Sequence, residues 1–219
     1  MRFHVSEEHL MDYAAGTASE AVGLLVATHL ALCPDCRAKV ADYERIGGAM
    51  LDDSRPADLP DAALQAMLAR LDEIPVEAPA KTPAISFDDR TRRTLPEPLR
   101  SYIGCNLDAA PWRSVTKALQ EIELPLGESG YRTRLYRIKA GHAMPEHTHG
   151  GNEMTLVLAG GFTDETGHYE RGDVSIADDA LVHTPAADLG EDCICLAVTD
   201  APLKLTGPIG RIVNLFMRY

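Results

Sequence analysis

The sequence predicts an α+β protein of two domains. A small N-terminal helical bundle precedes a C-terminal antiparallel β-barrel of the jelly-roll kind. Three observations predict it. Apolar residues of the first third follow a helical period. After Pro111 they fall in short β-like runs punctuated by glycine and proline. Two separate clusters of His, Cys and Glu carry metal-ligand spacing.

A chain of 219 residues is long enough for two small domains, and an apolar fraction of 45% supplies ordinary core material. A net charge of −12 argues against direct nucleic-acid binding, which needs a basic footprint. The same charge favours encounter with a basic partner. The start, MRFHVSEEHLMDY, lacks the basic-then-apolar layout of a secretory signal. The most apolar stretch, Ala21 to Leu32, is too short to span a bilayer. These features predict a cytoplasmic protein with no membrane contact. Cys33 and Cys36 are a close pair, Cys193 and Cys195 alternate, and Cys105 stands alone. That usage fits metal ligation and burial, not a secreted disulfide framework.

The elements follow in order. Gly16 ends a first helix. Thr17-Ala18-Ser19-Glu20 matches a capping box that opens a second helix reaching about Leu32. Cys33 and Pro34 restart the chain into a third helix to about Leu51, because proline is tolerated at a first helical position. Leu64, Met67, Leu68 and Leu71 mark a fourth, short amphipathic helix beyond the Pro56–Pro60 segment. The helical domain so defined spans residues 1–73. Pro75, Pro79, Pro83, Pro96 and Pro98 break regular structure and make residues 74–98 a linker. The second domain spans 99–219. In it, runs such as Tyr131 to Lys139 and Met154 to Leu158 alternate with turns at Gly160-Gly161, Gly167, Gly172 and Pro185. The second helix is apolar on nearly every side, so it is buried from several directions. Either the neighbouring helices and the second domain cover that surface, or a partner protein does.

His29, Cys33 and Cys36 form an H-x3-C-x2-C run. His29 lies one helical turn before Cys33, and Cys36 sits in the first turn of the next helix, so the three can converge. Zinc takes four nitrogen or sulfur ligands in a tetrahedron. His4 is the expected fourth ligand, and His9, inside the first helix, is the alternative. A redox C-x2-C pair or two buried, unbound thiols are the other readings of the cysteines.

Gly141-x5-His147-x-His149-x3-Glu153-x6-Gly160 matches the first cupin motif at every fixed position. Alternate strand residues share a face, so His147 and His149 point together into the barrel. Glu153 returns from the next strand. His183 supplies a fourth ligand from the second motif. That motif opens with Gly172 but carries Asp178 and Ala180 in place of its usual Pro and Gly, and lacks its closing Asn. Three histidines and a carboxylate suit zinc, iron(II) or manganese. His142 and His168 read as surface residues. Cys193 and Cys195 share one strand face, either as small buried hydrophobes or as oxidation-sensitive thiols beside the metal.

His4-Val5-Ser6, Tyr13-Ala14-Ala15-Gly16-Thr17, Val26-Ala27-Thr28-His29-Leu30 and Cys33-x-x-Cys36 resemble the zinc-binding anti-sigma factors of the ChrR type. The resemblance extends to Trp112-Arg113, Phe162-x-Asp164-Glu165-Thr166, Gly172-Asp173, His183-Thr184-Pro185 and Asp192-Cys193-Ile194-Cys195-Leu196. It implies zinc on His4, His29, Cys33 and Cys36, and favours zinc in the cupin site. It also implies that the helical domain clamps an extracytoplasmic-function sigma factor and releases it on an oxidative signal, singlet oxygen among the candidates. The competing expectation is a cupin metalloenzyme of the iron-dependent dioxygenase kind.

Overall fold

A computed structural model of the chain describes residues 1–60, 62–73, 85–126 and 130–206. Pro75, Pro79 and Pro83 of the expected linker and the end of the expected second domain, 207–219, lie outside the described residues.

Helix α1 (Glu7–Ala15) is capped by the Ser6 hydroxyl, which accepts from the His9 backbone N–H. It ends at Gly16, whose φ of +70° suits glycine. Helix α2 (Glu20–Leu32) begins one cap later than the expected box. Ser19, not Thr17, is its N-cap and accepts from Val22 N–H at 3.2 Å. Thr17 instead bonds back to the Asp12 carboxylate at 3.1 Å. Glu20 therefore stands at the first helical position, where its charge complements the helix dipole. Cys33 both ends α2 and caps α3 (Pro34–Asp52). Helix α4 (Ala63–Glu73) forms where the apolar spacing predicts it.

The prolines near the expected domain boundary do not act as breakers. Helix α5 (Asp89–Thr94) is capped by Asp88, and Pro96 is the N-cap of α6 (Glu97–Ile103). Pro98 falls in the first turn of α6, where its missing N–H has no helical partner to lose.

The strands are β1 (Arg113–Ser114), β2 (Leu119–Leu124), β3 (Arg132–Ile138), β4 (His147–His149), β5 (Glu153–Ala159), β6 (Gly161–Asp164), β7 (Gly167–Glu170), β8 (Val174–Ala177), β9 (Ala186–Ala187), β10 (Cys193–Thr199) and β11 (Leu203–Leu205). Their described pairings are all antiparallel. They group into a six-stranded sheet in the order β1-β2-β3-β10-β5-β8, a three-stranded sheet β7-β6-β9 and a two-stranded sheet β11-β4. Among the described residues these sheets do not join into one closed hydrogen-bonded ring. The most deeply buried strand is β10, every residue of which is buried between β3 and β5. Its continuous apolar run reflects cover on both faces.

Among the described residues one large apolar cluster runs through both halves, and two smaller ones lie in the β half. Leu10, Leu25 and Val26 of the helices join Leu99, Leu135, Leu156 and Leu196 in the large one. Helix α2 packs on α1, α3, α6 and β10. Its apolar circumference is thus largely covered within the chain. Each fully buried Leu contributes about 1.5–3 kcal/mol of transfer free energy to this shared core. Exposed apolar side chains lie elsewhere: Ile46, Met50 and Leu51 late in α3, and Leu64, Met67, Leu68 and Leu71 on α4. No single described helix is long and apolar enough to cross a membrane.

Candidate metal centres

The first centre sits where α2 meets α3. A helical turn brings His29 under Cys33, and the sharp restart at Pro34 turns Cys36 back toward both. His4 arrives from the extended segment before α1. One donor atom from each of His4, His29, Cys33 and Cys36 lies within 4.8 Å of all the others. His4 Nδ1 is 3.4 Å from both sulfurs, and His29 Nε2 is 3.3 Å from Cys36 Sγ. Tetrahedral bonds of the zinc–nitrogen and zinc–sulfur kind put neighbouring donors roughly 3.3–3.8 Å apart, so the cluster fits the ion. His9 is not in it; its Nδ1 faces the Ser6 hydroxyl at 2.6 Å.

The protonation states favour the same reading. His29 Nδ1 faces the Gly172 carbonyl at 2.9 Å, so it carries the proton and leaves Nε2 as a lone pair aimed at the thiols. Burial pushes the His29 pKa down, which keeps the ring neutral. Burial and the neighbouring Cys33 thiol push the Cys36 thiol up. A bound dication would reverse that preference and take the thiolate.

The second centre lies inside the β half. His147 and His149 alternate on β4, and His183 faces His147 across an isolated antiparallel bridge. All three are buried. His183 Nε2 is 3.0 Å from Nε2 of both His147 and His149. His147 Nδ1 donates to the Pro145 carbonyl at 2.8 Å, and His183 Nδ1 donates to the Asp164 carboxylate at 2.8 Å. Their inner nitrogens are therefore lone pairs facing each other. Burial lowers the pKa of His147, and that of His149 to about 4, so a protonated ring at either position does not relieve the repulsion at neutral pH. A cation between the rings would relieve it. The donor set fits a transition-metal ion.

Glu153 stands apart from this trio. Its carboxylate lies 3.8 Å from His149 Nδ1 and accepts from the Thr155 hydroxyl at 3.1 Å. Burial pushes its pKa up. Among the described residues, the close cluster comprises the three histidines alone. His149 Nδ1 is buried without a hydrogen-bond partner. A cavity of about 30 Å³ beside the trio is lined by His147, Glu153, Thr155, Tyr136 and Cys195, among others. Cys195 is buried, and its thiol is pushed well up by the neighbouring Cys193 and by burial. Cys193 is buried too. His142 and His168 are exposed; the latter pairs with Asp188 at 2.9 Å.

Asp164 is absent from the expected ligand set, yet it holds His183 in register. The His183 ring and the Thr166 hydroxyl and N–H outweigh the cost of burial and keep the Asp164 carboxyl below its ordinary range. The signal that could have found it is the Asp164-Glu165-Thr166 run, an Asx-type turn whose carboxylate is left with one free oxygen.

The comparisons agree with both halves. The family model described as the ChrR cupin-like domain matches residues 100–202, and a zinc-finger family model matches residues 5–37. The anti-sigma-E factor ChrR of Cereibacter sphaeroides is 43% identical over 218 residues, covering 100% of this chain and 99% of the relative. A chain in the crystal structure of Rhodobacter sphaeroides SigE in complex with the anti-sigma ChrR superposes with a TM-score of 0.76. It is 42% identical, and the match covers 91% of this chain and 100% of that one. With the same two parts in the same order and identity across its whole length, the chain belongs to the ChrR family of anti-sigma factors.

Proposed function

We propose that this chain sequesters an extracytoplasmic-function sigma factor through its helical half and releases it when the β half receives a signal, oxidative in kind. The carrying observation is the row of exposed apolar side chains on α4. Leu64, Met67, Leu68 and Leu71 lie at the i, i+3, i+4, i+7 spacing of one helix face. Such a row is the pattern by which an amphipathic helix docks into a groove. Ile46, Met50 and Leu51 extend the exposed apolar surface. The family membership and the solved complex of a relative support a sigma factor as the occupant.

In this reading residues 1–73 are the binding domain, 74–98 the connection and 99–219 the sensory domain, all in the cytoplasm. Zinc on His4, His29, Cys33 and Cys36 fixes the angle between α2 and α3. The β half holds zinc, or iron(II) or manganese, on His147, His149 and His183, with Glu153 completing the set by a small rotation. The cavity beside the trio, about 30 Å³, is small for an organic substrate, which supports sensing over catalysis.

The test is co-expression with a sigma factor encoded beside this gene, followed by co-purification. The wild-type pair should form a stable complex. Leu68→Glu should weaken it at least about tenfold, because a charge enters a desolvated contact, while leaving folding within about 0.5 kcal/mol. Cys33→Ser with Cys36→Ser should abolish it. A complex indifferent to all three changes would sink the proposal.

A further inference from the structure

Residues 1–3 leave the helical half and lie on the β half. The backbone N–H groups of Arg2 and Phe3 donate to Asp173 Oδ1 at 2.7 and 3.0 Å. Val174 N–H donates to the Phe3 carbonyl at 3.1 Å. The Phe3 ring rests on Tyr169, centroids 4.5 Å apart. Tyr169 is itself buried, and its hydroxyl is 2.8 Å from the Thr166 hydroxyl. The Thr166 hydroxyl donates its hydrogen bond to Asp164 Oδ1, at 2.6 Å, so in the pair with Tyr169 the tyrosine is the donor. The other oxygen of Asp164 accepts from His183. One peptide bond beyond Phe3 stands His4.

We propose that this line, from His183 through Asp164, Thr166, Tyr169 and Phe3 to His4, couples the two metal centres. It rests on the functional reading only for its purpose, since the coupling itself can be measured without a sigma factor. A displaced His183 ring withdraws its proton from Asp164. The freed carboxylate turns, the Thr166 side chain hydrogen-bonded to it turns with it, and Thr166 Oγ moves out of line with the Tyr169 hydroxyl. The Tyr169 ring is the surface on which Phe3 is seated, so the shift reaches the segment that carries His4. The Gly172 carbonyl, bonded to His29 Nδ1 at 2.9 Å, ties a second donor of the helical centre to the turn that holds Phe3. The connection is direct and does not pass through residues 74–98. Spatial continuity alone does not demonstrate coupling; a double-mutant cycle does.

The experiment uses the full chain with cobalt(II) in the helical centre. Thiolate-to-cobalt absorbance reports Cys33 and Cys36 and not the three histidines of the β half. The rate of cobalt loss to excess EDTA is measured for wild type, His183→Ala, Tyr169→Phe and the double variant. With the coupling carried in the dissociation rate, His183→Ala should speed the loss at least about fivefold, the lower range of equilibrium couplings between sites. Tyr169→Phe keeps the ring under Phe3 and removes the hydroxyl; in that background His183→Ala should change the rate less than twofold. Asp164→Asn replaces His183→Ala if the latter does not fold. An unchanged rate, or equal changes in both backgrounds, overturns the coupling. Loss of the coupling with sigma-factor binding intact leaves the anti-sigma reading standing, and the reverse result leaves the coupling standing.

Discussion

The outer nitrogens of His147 and His183 face a carbonyl and a carboxylate, and this settles what the inner nitrogens can do. Each ring has one proton at neutral charge, and it is already committed on the Nδ1 side. Replacing Asp164 by Asn keeps the shape and an acceptor for His183 but removes the charge that raises the basicity of its inner nitrogen. The metal affinity of the β centre should fall about 10–100-fold in chelator competition. An unchanged affinity would mean that Asp164 does not support a ligand. The five cysteines divide by the same local logic. Cys105 is half-buried, whereas Cys33, Cys36, Cys193 and Cys195 are buried; burial for Cys36, and the Cys193 thiol with burial for Cys195, hold these thiols protonated in the absence of a metal. Thiolate is the reactive form. Iodoacetamide applied to the zinc-loaded native protein should therefore label Cys105 first, as read by peptide mass spectrometry. Rapid labelling of Cys195 would contradict the burial.

Elements with a local cause were legible in the sequence. The breaks at Gly16 and Cys33-Pro34, the period of α4 and the alternation that aims His147 and His149 together are all encoded within a few residues. The cupin histidines and the H-x3-C-x2-C run were legible for that reason. What was not legible depends on chain distance. Asp173 meets Arg2 across 171 positions, and His29 meets Gly172 across 143, with no period to announce either. The Pro96–Pro98 segment misled because proline ends one helix and starts another equally well. The turn at Gly172-Asp173 shows how strongly such a distant contact can be made. Gly172 has φ of +96°, and a Cβ there would strike the Met1 side chain. Burial opposes the Asp173 charge, but N–H groups from Glu170, Phe3 and Arg2 outweigh it and hold the carboxyl below its ordinary range. Asp173→Ala leaves those donors without an acceptor and should cost about 2–4 kcal/mol in denaturant unfolding. A depressed folded pKa means that the contribution is complete above the unfolded value near 3.9 and is lost as pH falls through the lower folded value. The gap between wild type and variant should therefore persist at pH 7 and close under stronger acid. A gap that widened in acid would assign the stability to another group.

At the scale of the whole molecule, two domains joined by a linker and two domains sharing a core make opposite thermodynamic statements. Independent domains unfold in separate steps, each with its own midpoint. Here α2 packs on β10 as well as on its helical neighbours, and Leu25, Leu99 and Leu196 belong to one cluster. Opening either half exposes apolar surface on the other, and at about 25 cal/mol per Å² even a few hundred Å² of such surface exceeds the free energy that separates two steps. Zinc in the helical centre would add to this through linkage, since an ion bound only by the folded centre stabilises everything that folds with it. The single tryptophan, Trp112, offers a local probe. Its indole N–H donates to the Leu107 carbonyl at 2.8 Å and the Arg137 guanidinium lies over its ring, so its fluorescence follows the β half. Far-ultraviolet ellipticity at 222 nm follows mainly the helices. In the zinc-loaded protein the two signals should melt together with one midpoint. Stripping the helical centre, by Cys33→Ser with Cys36→Ser, should lower the Trp112 midpoint although no altered residue touches that ring. Two well-separated transitions, with the tryptophan signal indifferent to the helical metal, would show instead that the halves are thermodynamically separate and that their shared core transmits nothing.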